Sequence, residues 1–90
     1  MKAVVFYESA DDVLEKAPAH MDEHVKWFTS FHERGELLLV GTFADPQADG
    51  AMCVLKDRAS AERFAAGDPF VTNGVVKRYT IKDWNEILTA

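Results

Sequence analysis

The sequence predicts an α+β domain that runs strand, helix, strand, strand, helix, strand. Three observations lead there. Short runs rich in β-branched, aromatic and apolar residues fall at residues 2–7, 36–43, 51–56 and 75–81. Two stretches with helical spacing, residues 18–34 and 57–66, lie between them. The second strand contains Leu37, Leu38, Leu39 and Val40 in succession, so it does not alternate and both its faces should be buried.

Each element has a local reason. The first strand carries Val4, Val5, Phe6 and Tyr7, residues that fit a pleated surface. Ser9 followed by Asp12 resembles a capping box, which makes residues 9–16 one turn of helix or a loop. Pro18 suits a first helical position, and Gly35 stops the helix that follows. Met21, Val25, Phe28 and His32 form one stripe of that helix, with His20, His24, Trp27 and Phe31 beside it. The wide apolar face should lie on something flat. Residues 44–50 are rich in turn formers and end in Asp49-Gly50. In the second helix, Ala61, Phe64 and Ala65 make the apolar side. The last strand places Val75, Lys77, Tyr79 and Ile81 on one side, and a tail over residues 82–88 has Trp84, Ile87 and Leu88 to bury. Four strands with two helices on one face of an antiparallel sheet make a ferredoxin-like βαββαβ arrangement. One sheet face is then left for a second copy of the chain.

The chain has 90 residues, enough for one domain, residues 1–90. It is 48% hydrophobic and 28% charged, as a folded domain should be. The net charge of −5 and the scattered Lys and Arg exclude a nucleic-acid partner, because phosphate contacts need clustered cations. No apolar run approaches the ~20 residues of a membrane span, and no signal peptide is seen. A single cysteine, Cys53, allows no intrachain disulfide, which fits the cytoplasm.

The chemistry centres on Asp68. Asp68-Pro69 opens a short helical turn, and Asn73-Gly74 closes it. Taken alone, Asp68 is a helix cap. Paired with His20 across the fold, it becomes the orienter of a general acid or base. The same histidine in a structural role would be half-buried without chemistry. His20, Glu23 and His24 also spell H-x-x-E-H, an inverted zinc-peptidase motif, but catalytic zinc needs a third protein ligand and a cleft. No metal and no cofactor are therefore expected. Cys53 lies within a strand and reads as a buried thiol.

The residues Ala17-Pro18-Ala19-His20, His24, Gly35-Glu36-Leu37-Leu38 and Gly41 resemble the first half of the YCII-related family. Asp49-Gly50-Ala51, Ala61-Glu62-Arg63-Phe64, Gly67-Asp68-Pro69-Phe70 and Asn73-Gly74-Val75-Val76 resemble the second half. The resemblance implies a dimeric α+β barrel and a His–Asp pair in a pocket, carried onto His20 and Asp68. His24, Trp27 and Phe70 are expected to line that pocket and meet the substrate. The resemblance also implies cofactor-independent lyase or isomerase chemistry on a small aromatic-derived or lactone-like molecule. The alternative is a non-catalytic ligand-binding module that uses the same pocket. Some members carry an arginine three residues before the histidine, where this chain has Ala17, so that anion contact is missing.

Overall fold

The computed structural model describes all residues, Met1–Ala90. In chain order the elements are β1 (Lys2–Ser9), α1 (Val13–Glu33), β2 (Leu37–Thr42), α2 (Pro46–Asp49), β3 (Ala51–Leu55), α3 (Arg58–Gly67), α4 (Pro69–Thr72) and β4 (Val76–Trp84). The strands form one antiparallel sheet in the order β2-β3-β1-β4. This is the expected βαββαβ arrangement, with α2 and α4 added as single turns.

Cross-strand partners share a face, so the register sorts the sheet into two sides. Ala3 pairs with Leu55 and Val5 with Cys53. These residues meet Phe31 of α1 and Ala61, Phe64 and Ala65 of α3 in the buried core. Both long helices therefore cover the same side. On the other side Val4 pairs with Val54, Phe6 with Met52, and Leu39 with Val54. That side is apolar too, and no helix covers it.

The second strand explains why its sequence does not alternate. Leu37 is buried against the helices, and the register then shifts between Leu37 and Leu39. After the bulge, Leu39 faces the uncovered side and is 67% exposed. The expectation that both faces of this strand are buried thus holds within the chain for Leu37 only. Leu38 and Val40 are also exposed.

Helix α1 begins at Val13, not Pro18, and Pro18 lies inside it. Val13, Leu14 and Ala17 continue the stripe of Met21, Val25 and Phe28 backward at helical spacing, and all six line one cavity. That shared apolar face carries the helix through the proline, which costs one backbone hydrogen bond near the helix start. The tail differs from expectation as well. β4 continues to Trp84, which pairs with Lys2 at the uncovered face, and Ile87 and Leu88 lie beyond any helix, exposed to water.

Two polar knots tie the layers together. The buried Glu36 carboxylate, at the entry to β2, accepts from Arg34 Nε at 2.8 Å, from Ser60 Oγ at 2.9 Å, and from Arg63. The Arg34 contact, then Ser60 and Arg63, hold its carboxyl down at about 2. Trp27 Nε1 of α1 donates to the Phe64 carbonyl of α3 at 3.1 Å. The indole lies so close to Gly67 that a Cβ there would stand 2.5 Å from ring carbons. Glycine at this point lets α1 seat against the end of α3, directly before Asp68. No helix of the chain is long and apolar enough to cross a membrane.

Candidate functional site

Asp68 joins α3 to α4 and is completely buried. A carboxylate in that position needs donors on its oxygens, since burial without them is costly. It has three. The Phe70 backbone N–H donates to Oδ1 at 3.0 Å, which is the expected cap of α4. Tyr7 Oη donates to Oδ2 at 2.7 Å from the end of β1. His24 Nδ1 lies 2.8 Å from Oδ1. No buried side-chain polar atom in the chain lacks a partner.

The histidine beside Asp68 is therefore His24, and the expected His20–Asp68 pair does not form. His20 is half-buried, makes no hydrogen bond to Asp68 and lies outside the cavity. The two histidines stand four residues apart on α1, about 6 Å along its axis. The Trp27–Phe64 contact fixes which turn faces Asp68. The start of α1 at Val13 also removes His20 from the first helical turn, where the expectation had placed it.

His24 is held on three sides. Phe70 stacks on its ring at 3.7 Å, with 5° between the planes. Phe28 meets it edge-on at 5.2 Å. Asp68 takes Nδ1. A carboxylate only accepts, so Nδ1 carries the hydrogen and Nε2 is the ring nitrogen left over. The His24 side chain is 12% exposed. It lines a cavity of about 510 Å³ together with Tyr7, Met21, Phe28, Val40 and Phe70. Of the residues expected to meet a substrate, His24 and Phe70 line this cavity. Trp27 does not, because its ring is spent on packing between α1 and α3.

The remaining candidates fall into place around the pair. His20, Glu23 and His24 do not converge: Glu23 is exposed and His24 Nδ1 is taken by Asp68. No three His, Cys, Asp or Glu side chains stand together as a metal site would require. Cys53 is buried in β3 at the cavity wall. Burial first, and the Asp68 charge second, push its thiol up to about 12. Tyr7 was not singled out in the sequence. Its signal is the alternation of β1, which turns Ala3, Val5 and Tyr7 toward the helices and so brings a hydroxyl into the core.

The Tyr7 phenol is pushed far above its ordinary value of 10.0, by burial first and then by the charge and hydrogen bond of Asp68. Tyr7 and Cys53 both hold their protons more tightly folded than unfolded. Their contribution to stability is whole below the unfolded values, 9.0 for the thiol and 10.0 for the phenol, and is lost as pH rises through and beyond them. Urea unfolding from neutral to alkaline pH should show stability falling from about pH 9 upward. Tyr7→Phe should cost ~1–3 kcal/mol at neutral pH by removing one donor from a buried carboxylate, and should flatten the alkaline loss. An unchanged alkaline slope in that variant would refute the assignment.

No curated protein matches the chain in sequence. Among solved structures, 5-chloro-2-hydroxyhydroquinone dehydrochlorinase (TftG) from Burkholderia phenoliruptrix AC1100, in complex with 2,5-dihydroxybenzoquinone, is similar with a TM-score of 0.73. The two share 14% identity over 94% of each chain. MtbAldR is similar with a TM-score of 0.51 and 10% identity, over 99% of this chain and 57% of that one. These are likenesses of fold: an antiparallel four-stranded sheet with helices on one side. The family model of the YCII-related domain matches residues 1–85, and the chain belongs to that family.

Proposed function

We propose that this chain is a small enzyme that moves a proton on a small molecule held in the cavity beside His24. The observation that carries this reading is the 2.8 Å contact between His24 Nδ1 and the buried Asp68. It orients the imidazole, fixes its tautomer and leaves Nε2 for the occupant of the cavity. His24 is then the general base or acid, Asp68 orients it, and Tyr7 positions Asp68. The reaction class is elimination or isomerisation next to a carbonyl. Nε2 takes a proton from carbon, and the electron pair left behind forms a double bond. That step either expels a leaving group or is followed by return of the proton at another carbon. The dehydrochlorinase of similar fold, whose reaction by its name removes the elements of HCl, supports an elimination. No cofactor enters this scheme.

The test is a mass-spectrometric screen of hydroxylated aromatics, quinols and lactones, followed by variants on whichever substrate turns over. His24→Ala should lower kcat/KM by roughly 10²–10⁴-fold, the usual contribution of one placed proton-transfer group. His20→Ala should stay within about threefold of the parent. Equal activity in His24→Ala would refute the role, and binding without turnover of any compound would favour a ligand-binding module.

We also propose that a second copy covers the open side of the sheet. Leu39, with the half-buried Phe6 and Met52, presents apolar surface there, worth ~25 cal/mol for each Å² removed from water. Sedimentation equilibrium at micromolar concentration should give a folded dimer. A folded species at the chain mass of 10.1 kDa would contradict it.

A further inference from the structure

The walls of the cavity narrow what can occupy it. Its volume, about 510 Å³, lies in the usual range for small-molecule sites. Val25, Phe28, Val40 and Phe70 supply apolar surface on several sides. No lysine or arginine lines it. Its hydroxyls are largely committed, with Tyr7 donating to Asp68 and Ser9 donating to the Pro46 carbonyl at 2.6 Å. The nearest full charge behind the His24 wall is the carboxylate of Asp68, and the whole chain carries −5. An anion entering this space loses its hydration and finds no lysine or arginine in the walls to replace it. A neutral ring loses nothing comparable and gains contact with every wall.

We infer that the ligand is an uncharged one- or two-ring molecule, mostly hydrocarbon, whose single hydroxyl or carbonyl meets His24, and that the site rejects carboxylates and phosphates. This deepens the proton-transfer reading and rests on it only for the placement of the polar group at His24.

Two probes isolate the inference. They are 2-naphthol and 6-hydroxy-2-naphthoate, which differ by one carboxylate on the same ring frame. Binding is read at neutral pH by calorimetry, and the His24 ring ¹⁵N resonances report whether the probe sits in this cavity. 2-Naphthol should bind and shift those resonances, and the carboxylate should bind at least about tenfold more weakly. Met21 lines the cavity one turn before His24 on the same helix face and is 42% exposed, so a long cation there keeps contact with water. Met21→Arg should raise affinity for 6-hydroxy-2-naphthoate at least about tenfold. Equal or tighter binding of the carboxylate by the parent protein overturns the inference, and so does failure of 2-naphthol to bind or to move the His24 signals. These measurements need no turnover. Selective naphthol binding with no catalysis on any substrate would refute the proton-transfer reading alone, whereas efficient turnover of a carboxylate would refute the ligand class alone.

Discussion

The structure depends on one buried carboxylate. Asp68 has no contact with water, so three donors must reach it from three separate parts of the chain. Tyr7 comes from the end of the first strand, His24 from the middle of the long helix, and the Phe70 amide from the turn that Asp68 itself opens. Losing any one leaves a charged group partly unsatisfied in the interior, which is among the more expensive faults a small domain can carry. The demand that stabilises this junction also sets the site. The group that satisfies Asp68 from α1 is an imidazole whose other nitrogen remains free beside a cavity.

Several ordinary packing features hold that geometry. Gly67 lets the Trp27 indole lie against the end of α3, and the indole N–H takes up the Phe64 carbonyl. This fixes the rotation and height of α1 relative to Asp68. Phe70, directly after the proline that starts α4, turns back to stack on His24. Phe28, one turn along α1, meets the same ring at its edge. The imidazole is thus enclosed by aromatic groups as well as hydrogen-bonded, and its freedom to reorient is small. A fixed base needs that restriction, because proton transfer requires the acceptor to be aimed before the substrate arrives.

Much of this was legible in the sequence. The strand and helix order followed from periodicity, and Asp68-Pro69 announced its own cap. The doubly apolar second strand pointed to an apolar second face of the sheet, although the bulge after Leu37 was not visible. The choice of histidine was not legible, for a physical reason. His20 and His24 lie on the same stripe, four residues apart, and only the height of α1 against α3 decides which reaches Asp68. That height is set by Trp27 and Gly67, a contact between residues 40 positions apart in the chain. Pro18 misled in the same direction, since it looked like a helix start and brought His20 near the N-terminus. Val13, Leu14 and Ala17 carried the correcting signal, because they extend the stripe of Met21, Val25 and Phe28 past the proline. Tyr7 was hidden by its type: an aromatic at the end of a strand reads as core until its hydroxyl is shown to have a partner.

The central claim, that Asp68 holds His24 by Nδ1 and leaves Nε2 open, can be read directly from long-range ¹H–¹⁵N correlation spectra of the imidazole rings, with His24 assigned by replacement. Neutral His24 should be the Nδ1–H tautomer, with Nε2 at the shift of an unprotonated ring nitrogen, while His20 shows no such bias. A His24 ring that carries its hydrogen on Nε2, or averages between both tautomers, would contradict it.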